Sequence, residues 1–154
     1  MGVEIERKFL VIDDGWREAA GTGTTIHQGY LATTPERTVR VRVADDGAWL
    51  TIKGASRGAV RAEFEYPIPR DEAAHLLSLS ETSIVEKIRF RVAHAGRTWE
   101  VDVFGGENAG LVLAEIELES EDAAVELPRW VGQEVTGRPE FSNSQLAQHP
   151  FTRW

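Results

Sequence analysis

The residues with the clearest capacity for chemistry lie in VEIERKFLV, residues 3–11. Alternate residues of a strand point to the same face, about 6–7 Å apart, so Glu4, Glu6 and Lys8 would share one side. Carboxylates are ligands for hard divalent cations, and a lysine ammonium binds phosphate as a point charge. The spacing therefore indicates a strand whose polar face could hold a metal ion beside a phosphate group.

The same alternation of charged and apolar residues recurs in other segments. TVRVRV and EKIRFRV each place only bases on one face and apolar residues on the other. RAEFEYP, WEVDVF and AEIELE place mainly acids there. The bases of these faces are Lys8, Arg40, Arg42, Lys53, Arg61, Lys87, Arg89 and Arg91, and the acids are Glu4, Glu6, Glu63, Glu65, Glu100, Asp102, Glu115 and Glu117.

These charged faces have two interpretations. Antiparallel sheets commonly turn a charged face to water, and any one of the strands alone fits that arrangement. Taken together, however, bases and acids fall on different strands, and many bases are arginine, whose rigid fork suits phosphate oxygens. The eight bases balance the eight acids, so the net charge of −8 belongs to the rest of the molecule. Inside a closed barrel, such faces could hold a polyanion together with a divalent cation.

Period-two alternation, separated by Gly, Pro, Asn and Asp, dominates the chain and predicts a mostly β protein. ADDGAW, AHAGRT and FGGENAG are typical of hairpin turns, because glycine tolerates the positive φ that tight turns need. Eight strands are enough to close a barrel. The predicted strands are 3–12, 25–32, 37–44, 48–54, 61–68, 84–93, 98–104 and 111–119.

Helical signals are fewer. PRDEAAHLLSLS predicts a helix with Asp71 as its N-cap. A second predicted helix is interrupted or started by Pro128, and a short final helix stops before Pro150. The predicted helical segments are 69–80, 121–133 and 142–150, with one further turn at 14–20.

Composition limits the possible function classes. The chain has 154 residues without a repeat, low-complexity tract or linker, so we expect one domain over residues 1–154. It contains no cysteine, which excludes disulfides and thiolate zinc sites. An acidic protein is a poor general binder of nucleic acid or anionic membranes. The start of the chain lacks the basic and apolar regions of an export signal, so we expect a cytoplasmic protein.

Two common sites can be set aside. The sequence has no Gly-x-x-x-x-Gly-Lys-Ser/Thr phosphate loop, which argues against a P-loop nucleotidase. Its four histidines lie in different predicted elements without ligand spacing, and we assign them no metal role.

EIERK has the Glu-x-Glu-x-Lys form that marks the start of the CYTH superfamily, the triphosphate tunnel metalloenzymes. The chain resembles this family over essentially its whole length, because further matching segments follow in the family's order. VTGRPEFSNSQLA resembles the tail of its short bacterial members. The matching segments are EIERK, QGYL, RVR, TIKG, RAEFE, EKIRFR, EVDVF, AEIELES and VTGRPEFSNSQLA.

The resemblance implies an α+β, mostly β fold: a closed eight-stranded antiparallel barrel that forms a tunnel, with helices packed outside. It implies metal-dependent chemistry on triphosphates with Mg²⁺ or Mn²⁺. Tyr30 would either meet the substrate at the rim or pack the barrel end. The implied metal ligands are Glu4, Glu6, Glu63, Glu65, Asp102, Glu115 and Glu117; the substrate-binding residues are Lys8, Arg40, Arg42, Lys53, Arg61, Lys87 and Arg89; and the catalytic residues are Lys8, Tyr30 and Lys87.

The leading functional interpretation is an inorganic triphosphatase that hydrolyses tripolyphosphate to pyrophosphate and phosphate. Thiamine triphosphatase, nucleoside triphosphatase or class IV adenylate cyclase activity on the same barrel is the alternative, and a non-catalytic polyphosphate-binding module is a further one. We expect a small-molecule triphosphate substrate and neither a nucleic acid nor a membrane partner. The sequence leaves the oligomeric state open, with a homodimer as one option.

Overall fold

Nine antiparallel strands and two short α-helices make up the computed structural model, which describes residues 2–154. Single turns of 3-10 helix lie between them. The strands are β1 Val3–Val11, β2 Thr24–Thr33, β3 Arg37–Ala44, β4 Gly47–Gly54, β5 Val60–Pro67, β6 Val85–His94, β7 Arg97–Phe104, β8 Val112–Glu117 and β9 Val131–Glu134. The α-helices are α1 Arg70–Ser78 and α2 Asn143–Gln148, and the 3-10 turns are Gly15–Ala19, Gly106–Asn108, Pro139–Phe141 and Phe151–Arg153.

The first eight strands close into a barrel in the order β5-β4-β3-β2-β6-β7-β8-β1. Closure comes from the start of β1, where Val3 pairs with Ala62 of β5. The middle of β1 pairs with β8, and its last residues pair with β9, as in the Phe9–Glu134 pair. The predicted closed antiparallel barrel is therefore confirmed, with β9 as an additional strand outside the ring.

The turn between β6 and β7 follows the predicted turn chemistry, whereas Gly47 of ADDGAW begins β4 without a positive φ. Ala95 and Gly96 between β6 and β7 have φ values of 49° and 77°. Two central residues with positive φ match the right-handed twist of the strands they join. Because both hairpin strands then keep their alternation, Lys87, Arg89 and Arg91 all line the barrel interior.

The apolar faces of the strands point outward, where connecting segments cover parts of them in three clusters, while Phe64 and Tyr66 of β5 stay exposed. One surrounds the fully buried Trp99 and includes Trp16 from the 3-10 turn that follows β1. Another lies under α1, whose Ala73 packs against Val41. The third lies under the C-terminal segment and includes Leu146 of α2. Burying these apolar faces stabilises the barrel from outside and leaves the inner face for polar side chains.

The helix predictions hold in part. The final helix is confirmed as α2, and Ser142 caps it by accepting a hydrogen bond from the Gln145 backbone N–H at 3.3 Å. The predicted N-cap Asp71 is wrong: α1 begins at Arg70 after Pro69, and Asp71 Oδ1 accepts from the Glu72 backbone N–H. Asp71 therefore lies within the first turn, where a carboxylate still interacts favourably with the helix dipole.

The predicted helix within 121–133 is wrong. The segment has no regular structure until β9 begins at Val131. Ala123 and Val125, two residues apart, both pack against the cluster around Trp99, so the apolar period here is two and not 3.6. In the described part of the chain, residues 2–154, no helix is long and apolar enough to span a membrane.

Candidate active site

A cavity of about 770 Å³ lies inside the barrel and contains side chains from the inner faces of β1 to β8. Its lining brings together every base predicted to bind substrate and six of the seven predicted metal-binding acids. The predicted residues that line the cavity are Glu4, Glu6, Lys8, Tyr30, Arg40, Arg42, Lys53, Arg61, Glu63, Glu65, Lys87, Arg89, Glu115 and Glu117. The charged faces therefore point inward, and the interpretation of a water-facing charged sheet is wrong for these residues.

Strand register places charged residues of β1 directly opposite charged residues of β8. Glu6 lies opposite Glu117, and Lys8 lies opposite Glu115, across the β1–β8 ladder. Residues directly opposite each other on antiparallel strands have Cβ atoms about 4.5–5.5 Å apart. The two same-charge Glu6–Glu117 side chains are thus held close together by the backbone alone.

The acidic part of the cavity is crowded with negative charge. Lys53 Nζ contacts the Glu4 carboxylate at 3.1 Å and Glu63 at 3.4 Å. Burial works against ionisation of Glu4, but the attraction of Lys53 prevails and lowers its pKa. Burial and the neighbouring charges of Glu115 and Glu4 raise the pKa of Glu6 well above its usual range.

Glu115 behaves in the opposite way. Burial works against its ionisation, but the positive charges of Lys8 and Arg89 hold its pKa well below the usual range. The pKa values of Glu6 and Glu115 therefore shift in opposite directions. Burial raises the pKa of Glu117 too, with further contributions from Glu4 and Glu100.

The chemistry of this donor set fits a hard divalent cation. Its ligands are carboxylate oxygens, the type that Mg²⁺ and Mn²⁺ favour. Burial, with the charges of Glu115 and Glu4, raises the pKa of Glu6, and a cation bound between these carboxylates would favour their ionised forms. Among residues 2–154, no three His, Asp or Glu side chains already have the arrangement of a metal site.

The basic part of the cavity contains arginines held by neutral partners. Arg40 Nη2 donates to Thr51 Oγ1 at 3.0 Å and also contacts Glu65 at 3.4 Å. Its Nε is buried, and no hydrogen-bond partner for it occurs among the described residues. Arg42 donates from Nε to Gln28 Oε1 at 2.9 Å. Burial, with the positive charges of Arg40 and Arg89, lowers the pKa of Arg42 to about 9, so its guanidinium stays charged at neutral pH.

Asp102 is the one predicted metal ligand that does not line the cavity. Its carboxylate is 0% exposed and accepts three hydrogen bonds from two bases. Lys87 Nζ contacts Oδ2 at 2.8 Å, and Arg89 contacts Oδ1 and Oδ2 at 2.7 Å and 2.8 Å. Both carboxylate oxygens are therefore occupied. Despite this counter-charge, burial lowers the pKa of Lys87 to about 7.

The CYTH domain family matches residues 2–148 of the chain. The chain belongs to the CYTH family. A relative from Acetivibrio thermocellus named inorganic triphosphatase is 47% identical over 152 residues, which cover 98% of this chain and 97% of the relative. One of the same name from Nitrosomonas europaea is 38% identical over 151 residues, covering 94% and 96%. The solved structure of the inorganic triphosphatase NE1496 matches with a TM-score of 0.67 at 35% identity, covering 96% of this chain and 95% of that one.

Sequence reasoning missed two fully buried polar residues that accept hydrogen bonds from arginines of this CYTH cavity. Gln28 is fully buried on the face of β2 that also carries Tyr30, and the QGYL motif contained that signal. Thr51 shares the inner face of β4 with Lys53. Tyr30 is 4% exposed, packs in the cluster with Leu146 and also lines the cavity; its contact with a substrate stays a prediction.

The C-terminal segment, residues 135–148, is the other part of the site that the sequence did not reveal. Residues from this segment close one side of the cavity. Lys8 Nζ donates to the Phe141 backbone carbonyl at 3.1 Å, and Lys87 Nζ donates to Asn143 Oδ1 at 3.0 Å. Contacts across more than 50 residues of sequence leave no local pattern to detect.

Proposed function

We propose that this CYTH protein is an inorganic triphosphatase, which hydrolyses tripolyphosphate to pyrophosphate and phosphate. The observation that carries the proposal is the cavity inside the barrel, in which predicted phosphate-binding bases and oxygen donors for a cation lie together. The names of the two relatives at 47% and 38% identity support it. The reaction class is phosphoryl transfer to water, where positioning and electrostatic stabilisation supply most of the catalysis.

The bases of the cavity would bind the phosphate oxygens. Arg40 lines the cavity, and its guanidinium would pair with phosphate oxygens there. Lys8 and Lys87 would contact the substrate directly and neutralise charge that develops in the transition state. Lys53 and Arg61 extend the basic lining toward Glu4 and Glu63.

The acids would hold Mg²⁺ or Mn²⁺. The proposed ligands are Glu4, Glu6, Glu115 and Glu117, with Glu63 and Glu65 on the neighbouring wall. A divalent ion bound there would neutralise substrate charge and lower the pKa of an attacking water. We leave Asp102 out of this set, because Lys87 and Arg89 already occupy both of its oxygens.

The lining favours a triphosphate that carries no nucleobase or other aromatic ring. Among the cavity-lining residues that the structure describes, Tyr30 is the only aromatic, and its ring is 4% exposed. A nucleobase or thiamine would gain little stacking there. Tripolyphosphate also carries more charge near the bases than an esterified triphosphate. A cytoplasmic location and a homodimer remain predictions.

The test compares tripolyphosphate, ATP and thiamine triphosphate side by side at matched metal concentration and pH, with phosphate release as the readout. We expect the highest kcat/KM with tripolyphosphate. Equal or higher efficiency with ATP would contradict the proposal, and cyclic AMP among the products would indicate a cyclase. Tight binding of tripolyphosphate without hydrolysis would indicate a non-catalytic binding module.

A matched pair of variants on β3 tests whether the cavity is the site. Arg40→Ala removes a lining guanidinium, whereas Arg37→Ala removes an exposed one on the outer face of the same strand. We expect at least a tenfold loss of kcat/KM for Arg40→Ala, corresponding to a few kcal/mol of transition-state stabilisation. Arg37→Ala should behave like the wild type, and equal effects of the two would contradict the assignment.

A further inference from the structure

The side chain of Asn143, the first residue of α2, links the C-terminal segment to two strands of the barrel. Its Oδ1 accepts a hydrogen bond from Lys87 Nζ at 3.0 Å and another from Gln28 Nε2 at 2.9 Å. Gln28 in turn accepts from Arg42 Nε at 2.9 Å. One amide oxygen thus connects, directly or through one residue, to two bases of the cavity.

The direction of this chain of hydrogen bonds is fixed by its ends. Arg42 Nε can only donate, so Gln28 must present its carbonyl oxygen to the guanidinium and its NH₂ to Asn143. The Lys87 ammonium can also only donate, so in its charged form it requires an oxygen from Asn143 at the same point. Both ends therefore impose the same orientation on the two amides, and no flipped arrangement satisfies the donors.

We propose that Asn143, acting with Gln28, is a positioning residue that holds Lys87 and Arg42 in their substrate-binding orientation. The C-terminal segment would then be part of the site and not only a cover for the outer face of the barrel. The proposal rests on the proposed function, because it assigns these two bases to the triphosphate.

An amide suits this task better than a carboxylate. Lys87 already has a carboxylate partner in Asp102, at 2.8 Å, which it shares with Arg89. A second carboxylate would compete with the phosphate oxygens for the ammonium, whereas a neutral oxygen directs the ammonium without adding negative charge. Small misplacements of such groups are costly, since an error of about 1 Å can reduce turnover roughly a hundredfold.

Asn108 provides the matched control. This buried asparagine ends the 3-10 turn Gly106–Asn108, and its side chain contacts the C-terminal part of the chain: its Nδ2 donates to the Leu146 carbonyl at 3.4 Å, and its Oδ1 accepts from the Phe151 N–H at 2.8 Å. Asn108→Ala therefore loosens the region without removing an acceptor from Lys87. Asn143→Ala removes that acceptor directly.

The experiment measures kcat and KM for tripolyphosphate, its Kd by calorimetry without metal, and the midpoint of thermal unfolding. We expect Asn143→Ala to lower kcat/KM by roughly ten- to a hundredfold and to weaken tripolyphosphate binding. Asn108→Ala should lower the unfolding midpoint while kcat/KM and Kd stay within about twofold of wild type. Asn143→Asp, which keeps an acceptor oxygen, should restore kcat to within a few fold while raising KM, because of its added negative charge.

Three results would overturn the inference: wild-type kcat/KM and Kd in Asn143→Ala, an equal loss of turnover in Asn108→Ala, or a kcat of Asn143→Asp as low as that of Asn143→Ala. A wild-type protein that binds tripolyphosphate without hydrolysing it would contradict only the proposed function, and the Kd values would still test Asn143. A wild type that neither binds nor hydrolyses it would overturn both.

Discussion

Replacing Asp102 with asparagine separates two roles for this carboxylate: an anchor for two bases, or a metal ligand. The side chain is 0% exposed and receives three hydrogen bonds from Lys87 and Arg89 at 2.7–2.8 Å. Asparagine has the same shape but only one acceptor oxygen. In either orientation its NH₂ faces at least one N–H of the bases, and both cations lose their counter-charge.

The magnitude follows from this geometry. Removing one partner of a buried ion pair costs about 3–5 kcal/mol, because the remaining charge is left uncompensated. For a domain of this length, each kcal/mol lowers the thermal midpoint by about 2–4 °C, so we expect a drop of roughly 6–20 °C.

The assay is urea and thermal unfolding of Asp102→Asn and wild type in excess chelator, which removes any contribution of a bound metal. Glu100→Gln is the control, since Glu100 lies on the same face of β7 and is near Arg89 at 3.3 Å, but its side chain is 27% exposed. We expect a change of about 1 kcal/mol or less there. An Asp102→Asn protein as stable as wild type, with a higher Mg²⁺ requirement for turnover, would refute the anchor role.

Further expected outcomes concern metal, arginines and pH. Activity should disappear in excess chelator and return with Mg²⁺ or Mn²⁺, because the carboxylates around Glu6 repel one another; undiminished hydrolysis by metal-stripped protein would contradict this. Arg89→Ala should lower turnover at least tenfold, as we expect for Arg40→Ala. It should also unfold at a lower urea concentration than the wild type, because Asp102 then pairs with one base fewer. Wild-type kinetics would place Arg89 outside the mechanism. Because the pKa of Glu6 is raised on folding, the folded wild type binds more protons at Glu6 than the unfolded chain does above about pH 4.5, and its stability falls as pH rises. Glu6→Gln removes this titration, so it should stabilise the metal-free protein increasingly as pH rises above about 4.5. A stability difference between Glu6→Gln and wild type that does not change with pH would contradict the assignment.

The inward charged faces were predictable because alternation is a local property of a strand. Arg40 and Arg42, two residues apart, point into the same cavity once the strand forms. The same rule treats Glu100 and Asp102 alike, yet Glu100 lines the cavity and Asp102 is sealed beneath two bases. That difference depends on Lys87 and Arg89 of the neighbouring strand, and so on tertiary packing that no single strand encodes.

The largest failure of sequence reasoning lies after β8. The alanines and glutamates of 121–133 favour a helix by intrinsic propensity. The packing of Ala123, Val125 and Trp130 against the outer face of the barrel outweighs that preference. The role of Asn143 was hidden for a related reason. Its partners, Gln28 and Lys87, come from strands far earlier in the chain.

The pairing of β1 with three different strands also has a consequence for folding. This strand pairs with β5 at Val3, with β8 in its middle and with β9 at Phe9, so its partners come from the middle and the end of the chain. Loop-closure entropy must be overcome before such distant pairings become favourable, which makes topologies of this kind slow to fold. We therefore expect the barrel to close late, with β1 completing the ring. The carboxylates of Glu4 and Glu6 would then stay hydrated until the final step, and their desolvation would contribute to the folding barrier.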